Sequence, residues 1–155
     1  MCQGVADALD ALRDADDHSL MARAPETAPK TVFMFPGQGT QYAGMGRGLY
    51  ASEAAYRAAV DQCAEILTRR HALDVRAILL AVEEEVDAAN QQLASTLVTQ
   101  VCLFVTEYAL ARTWQAWGLT PDALIGHSIG EYVAATIADA LTLDDALKML
   151  SLPRV

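Results

Sequence analysis

Paired cysteines, a basic face, a long apolar run and any histidine beyond position 127 are what this 155-residue chain lacks. Each gap excludes a class of function. The three cysteines, Cys2, Cys63 and Cys102, are scattered, with no CxxC and no histidine at ligand spacing. Neither a zinc site nor a disulfide framework is signalled, and a reducing cytoplasm is the expected location. Lysine and arginine number 11 against 20 aspartates and glutamates, a net charge of -9, so the basic stripe that a nucleic-acid backbone requires is missing. No apolar run reaches membrane-spanning length, and Met1 to Gln3 lead into an acidic helical pattern rather than a secretory leader, so no membrane role is expected. Glu83, Glu84, Glu85 and Asp87 read as a solvated loop or helix face, and no metal site is expected.

What is present is a core: 53% of residues are apolar and 20% charged, the balance of a globular domain. Val5, Leu9 and Leu12 recur at helical spacing, and Ala24 to Pro29 reads as an extended linker, so the domain proper begins near Lys30. Thr31 to Phe35 is a nearly continuous apolar run closed by Pro36-Gly37, the pattern of a buried parallel strand. Ser52 is a plausible N-cap for an amphipathic helix through Tyr56, Val60, Cys63, Ala64 and Leu67. Asp74 to Leu80 predicts a short helix, and Leu97 to Trp117 a long, largely buried one ending at Gly118. Asp122 to Gly126 predicts a second strand and Ile129 to Ala138 the helix leaving it. Thr142 and Asp145 have capping-box spacing at the start of a last helix, with Asp in place of Glu or Gln.

The strand, turn and helix around Gly126-His127-Ser128-Ile129-Gly130 have the GxSxG pattern in which a serine sits on a sharp bend, its hydroxyl exposed beside a helix N-terminus. Small flanking residues relieve the crowding of such a bend. The backbone N–H of Ile129 is then placed to stabilise negative charge developing on a substrate oxygen. The competing reading is a glycine-bracketed N-cap in which Ser128 satisfies helix donors and does no chemistry. A serine hydroxyl needs a general base within hydrogen-bond reach. His127 adjoins Ser128, but consecutive side chains entering a sharp turn point apart; His18 precedes the linker, and His71 falls in a polar helix-loop stretch. None of the three is a convincing base, and Glu131 reads as a complement to the helix dipole.

The second glycine-rich turn, Gly37-Gln38-Gly39-Thr40-Gln41-Tyr42-Ala43-Gly44, also follows a strand. It fails the dinucleotide pattern, which needs glycine where Tyr42 stands, and lacks the Lys-Ser or Lys-Thr of a phosphate loop. A tight turn whose backbone N–H groups, such as that of Gln38, approach a reacting carbonyl is the better reading.

Together, Val32-Phe33-Met34-Phe35-Pro36-Gly37-Gln38-Gly39-Thr40-Gln41, Gln100 before Leu103-Phe104, and Gly126-His127-Ser128-Ile129-Gly130-Glu131-Tyr132 resemble the malonyl-CoA:ACP transacylase family, most closely the acyltransferase domains of type I polyketide synthases. The resemblance implies an α/β fold, the N-terminal part of a hydrolase-like acyltransferase subdomain with a parallel sheet covered by helices, incomplete here. Residues 1–29 then correspond to a ketosynthase-to-acyltransferase linker and residues 30–155 to a partial acyltransferase domain. It further implies that Ser128 takes an acyl group from an acyl-CoA and passes it to the phosphopantetheine thiol of an acyl carrier protein, within a multidomain synthase of polyketide or fatty-acid type. No bound cofactor is implied. Gln38 and Ile129 would supply the oxyanion N–H groups, Gln100 would line the site, and Ile129 after the serine leans toward malonyl.

Two departures matter. The family's catalytic histidine falls in a second half not represented here, and its carboxylate-binding arginine aligns with Pro153 rather than Arg154, in a tail from Ser151 to Val155 that departs abruptly from the pattern. The expectation is therefore a fragment incompetent alone, with unpaired strand edges and an exposed apolar face that favour aggregation or dimerisation. The alternatives are a small serine hydrolase or thioesterase with an unconventional base, and a noncatalytic assembly module.

Overall fold

The alternation of side chains along Val32–Phe35 sets the architecture. In a computed structural model of the chain, which describes residues 5–13 and 27–151, these four residues form strand β1, following helix α1 (Val5–Arg13). β1 lies parallel to β2 (Ala123–Gly126), with Val32 opposite Ala123 and Phe35 opposite Gly126. Phe33 and Phe35 turn inward and pack edge to face, their ring centroids 6.5 Å apart. Val32 and Met34 turn outward and are 46% and 73% exposed. The run from Thr31 thus builds the expected parallel strand, but helices cover only its inner face among the described residues. An apolar run marks a strand; it does not say how many layers cover it.

Between the strands the chain makes α2 (Arg47–Ser52), α3 (Ala54–His71), α4 (Arg76–Leu79), a 3-10 turn (Glu83–Glu85), α5 (Val86–Leu93) and α6 (Thr96–Ala116). After β2 come α7 (Ile129–Ile137) and α8 (Leu143–Ser151). This is the α/β class that the pattern predicts. α6 is its axis: residues 99–105 are all buried in succession, which a helix achieves only when neighbours surround it. α3 lays Tyr56, Val60, Cys63, Ala64 and Leu67 against it, each fully buried, and α8 closes the same side with Ala146, Leu147 and Leu150. Two hydroxyls on α6 donate back along the helix, the half-buried Thr106 to the carbonyl of Cys102 at 2.9 Å and the buried Thr113 to that of Ala109 at 2.8 Å, which satisfies both donors locally. Cys63 and Cys102 are buried free thiols, each pushed up to about 12 by burial, too high to be nucleophiles near neutral pH.

Local differences from the sequence reading have physical causes. Ser52 does not cap a helix; it ends α2, and Glu53 precedes α3. α2 is a separate, unexpected helix, preceded by Gly44 and Gly46, which donate to the carbonyls of Ile78 and Leu79, both at 2.9 Å, a long-range clamp invisible to local pattern. Gly44 has φ 78°, and a side chain there would meet the carbonyl oxygen of Ala81. Glu83–Glu85 are exposed on the 3-10 turn, where Glu85 accepts from the N–H of Val82 at 3.2 Å. At α8 the shorter Asp gives a variant capping box. Thr142 Oγ1 accepts from the N–H of Asp145 at 3.1 Å and donates to its carboxylate at 2.7 Å. The expected linker at Ala24–Pro29, apart from its last residues, and the tail beyond Ser151 lie outside the described residues, as do Cys2 and His18.

Among the described residues no single helix is long and apolar enough to cross a membrane.

Candidate active site at the serine turn

β2 delivers the chain to the site and α7 carries it away, leaving two residues, His127 and Ser128, for the reversal. The N–H of His127 donates to the carbonyl of Phe35 at 3.0 Å, extending the ladder one residue past β2. The next residue, Ser128, has φ 56° and ψ -117°, a conformation costly for any side chain other than glycine's hydrogen. Gly130 N–H then donates to His127 and Glu131 N–H to Ser128, through their carbonyls at 3.0 and 3.1 Å, and α7 begins. The bend requires its glycines. A Cβ on Gly126 would run into the backbone of Gly130 and Glu131, and one on Gly130 into the backbone of Phe35.

The local geometry of Ser128 differs from that of a capping serine. An N-cap serine has extended dihedrals and accepts a helix N–H through its side chain. Ser128 has positive φ and its side chain makes no capping bond. The residue is exposed, so its hydroxyl is presented at the α7 N-terminus rather than consumed in closing it.

The turn after β1 comes to the same place. A Cβ on Gly37 would lie 3.3 Å from Ser128 Cβ and 2.8 Å from His127 Nδ1, so glycine is what lets the two turns touch. Gln38 follows, exposed, and its Oε1 accepts from Nε2 of the buried Gln100 at 3.3 Å. Three segments far apart in sequence thus converge. Ile129 contributes only backbone to this surface, since its side chain is 2% exposed within the core. His127 packs against Gly37, while His71 ends α3 with its Nε2 buried and without a partner among the described residues. No hydrogen bond joins either imidazole to Ser128 among the described residues. Glu131 lies exposed in the first turn of α7, where a carboxylate complements the helix dipole.

One polar residue escaped the sequence reading. Glu107 is the sole acidic residue of α6; it is 7% exposed, and neither carboxylate oxygen has a partner among the described residues. Burial raises its carboxyl to about 8. A lone acid inside an otherwise buried helix was the available signal.

Comparison with known proteins adds the family. The acyl transferase domain family model matches residues 32–154. The pikromycin polyketide synthase component PikAIII of Streptomyces venezuelae is 39% identical over 150 residues, covering 96% of this chain and 9% of that protein. The acyl transferase domain of ZmaA superposes with a TM-score of 0.87 at 36% identity, covering 97% of this chain and 35% of that one. The acyl-carrier-protein S-malonyltransferase of Burkholderia pseudomallei gives 0.64 at 33% identity, covering 79% and 37%. The chain therefore spans less than a tenth of the length of such curated relatives and about a third of the solved domains.

Proposed function

Since this chain belongs to the acyl transferase domain family, in the form found in type I polyketide synthases, we infer that Ser128 is its acyl-carrying residue. The observation that carries this reading is the strained, exposed, non-capping serine between β2 and α7, touched by the Gly37 turn. In the proposed reaction the Ser128 hydroxyl oxygen attacks the thioester carbonyl of an acyl-CoA. The C–O ester bond forms, the C–S bond breaks, and the serine proton passes through a base to the departing CoA thiolate. The phosphopantetheine thiol of an acyl carrier protein then attacks the ester and restores the serine. Each step passes through an oxyanion, for which the backbone N–H groups of Gln38 and Ile129 are the donors we assign. The side-chain bond from Gln100 would hold the Gln38 turn in place for that role. A malonyl group is the acyl unit we assign, within polyketide or fatty-acid type assembly.

The base is the unfilled role. His127 faces Gly37 and His71 lies at the end of α3, so we place the general base outside the described residues. Loss of a general base costs roughly 10²–10⁴-fold in rate, so the chain alone should acylate slowly. Intact-mass spectrometry after incubation with malonyl-CoA tests both parts. The expected result is slow accumulation of one malonyl adduct, absent in Ser128→Ala. An adduct that persists in Ser128→Ala rejects the serine assignment, and rapid stoichiometric labelling rejects the placement of the base.

A further inference from the structure

The turn after β1 holds a second glutamine, Gln41, for which the proposed reaction has no role. At the apex of that turn Gln38, Gly39 and Thr40 are all exposed, so packing does little to fix them. Gly39 has φ 131°, and a Cβ built on it would meet no atom within 4 Å. A glycine in open space turns freely unless a hydrogen bond holds it. One bond does. The N–H of Gly39 donates to Oε1 of Gln41 at 2.8 Å, across two residues of chain. The half-buried Gln41 thereby fixes the peptide that joins Gln38 to Gly39.

The same bond sorts the two amides of the apex. The N–H of Gly39 is taken by Gln41, whereas the N–H of Gln38 makes no hydrogen bond among the described residues. A donor stabilises a developing oxyanion best when it is unspent and already aimed. Gln38 is restrained from three directions. Before it, the buried Gly37 sits against the serine turn, where a Cβ would lie 3.3 Å from Ser128 Cβ. After it, Gly39 is latched to Gln41. Its own side chain accepts from Gln100 at 3.3 Å. Without the Gln41 oxygen the Gly39 amide is released and the peptide can swing, leaving two loosely held donors in place of one that is aimed.

We propose that Gln41 is a positioning residue for acyl transfer: its side-chain carbonyl latches the Gly39 amide and so holds the Gln38 N–H toward the substrate oxyanion. The role rests on the reading of Ser128 as the acyl-carrying residue. Gln41 acts through the backbone, so what its position requires is an acceptor oxygen at that reach.

The test is made on the full chain with malonyl-CoA as acyl donor. Gln41→Met keeps the length and bulk of the side chain and loses the acceptor, while Gln41→Glu keeps an acceptor oxygen at the same reach. Intact-mass spectrometry over a range of malonyl-CoA concentrations separates the maximal labelling rate from the half-saturating concentration. In the Met variant the maximal rate should fall roughly 10-fold, part of the ~10²–10³-fold that loss of an oxyanion donor costs, at an unchanged half-saturating concentration. The Glu variant should stay within about 3-fold of the unaltered maximal rate, with the effect of its added charge confined to the half-saturating concentration. Exchange of the Gly39 amide hydrogen, read by NMR, should quicken roughly 10-fold in the Met variant and return toward the unaltered rate in the Glu variant. Gln41 lies in a surface turn, so both variants should keep the unaltered urea midpoint. A Met variant that labels at the unaltered maximal rate, or a Glu variant as slow as the Met one, overturns the proposal. Gly39 exchange that is the same in all three chains overturns it too, as does slower labelling that a smaller folded fraction accounts for. Failure of the serine reading has a different signature, an adduct that persists in Ser128→Ala, and it removes the role of Gln41 as well.

Discussion

The side of α6 that meets α3 and α8 and the side that looks onto β1 are built from similar apolar residues, yet they end in opposite states. On the first side Tyr56, Val60, Cys63, Leu67 and Leu147 have no exposure at all. On the second, Val32, Met34, Trp114 and Ile125 remain 45–73% exposed. What separates them is layering. α3 and α8 supply a second surface that interdigitates with α6, whereas the described residues put no layer over the outer face or free edge of β1. Burial is therefore a property of what faces a residue rather than of the residue, and the two sides should respond differently to the same chemical change.

The largest difference is expected for aromatic truncation in the sealed side. Phe104 is fully buried on α6 and stacks on Tyr108, with ring centroids 6.1 Å apart. Phe104→Ala should cost about 3–5 kcal/mol, the transfer term plus the cavity it leaves, read as a fall in the urea midpoint. For a chain of this size such a loss leaves little folded protein. A loss below about 1 kcal/mol would mean that the core is loose and the comparison false.

Next comes Glu107, which sits on α6 between the two regimes. Its carboxyl is raised from its ordinary 4.5 to about 8 by burial, so the folded chain holds the proton more tightly than the unfolded one. Stability is then highest below about pH 4.5, falls as pH rises toward 8, and is flat above. The loss across that window is of the order of 2–4 kcal/mol. Among the described residues Tyr42 is the other ionisable side chain lining the cleft between β1 and α6 that Glu107 faces. Urea melts between pH 4.5 and 9 should show this decline, and Glu107→Gln should flatten it. A decline unchanged in the Gln variant would place its origin elsewhere.

The two regions also differ in how much of them could be read from sequence. α6 was legible almost to the residue, since Leu97 to Trp117 is apolar around the helix and Gly118, at φ 90°, stops it. So was the order of strand, serine turn and helix, because GxSxG places a steric demand that only glycines meet. What could not be read was long-range. The approach of Gly37 to Ser128, the bond from Gln100 to Gln38 across 62 positions and the Gly44 and Gly46 clamp on α4 depend on tertiary placement. The family resemblance grouped Gln38, Gln100 and Ser128; their residue types alone did not. Glu107 was legible only as the one acid in a helix read as apolar on most sides; its lack of a partner is a matter of tertiary placement.

A smaller effect is expected at the serine turn. The positive φ of Ser128 is strain stored in the fold, and glycine adopts that region freely. Ser128→Gly should therefore stabilise the chain by about 1 kcal/mol while removing the nucleophile. Stability and acylation would move in opposite directions, as expected where strain serves chemistry. A destabilised Gly variant would show that the serine side chain holds the turn and would revive its reading as a structural cap.

The smallest effect belongs to the open side, at Met34. It sits one residue from Phe35 on the same strand, yet it is 73% exposed where Phe35 is 7% exposed. Met34→Ser removes little buried area and breaks no side-chain bond, so the monomer's urea midpoint should shift by less than about 0.5 kcal/mol. Self-association is a separate quantity. If the open apolar face drives the chain to associate with itself, the same substitution should lower the apparent mass in sedimentation as concentration rises, since it removes the most exposed apolar side chain of β1. A large stability loss at Met34 would mean that something already covers β1 in the free chain, and the contrast between the two sides of α6 would no longer hold.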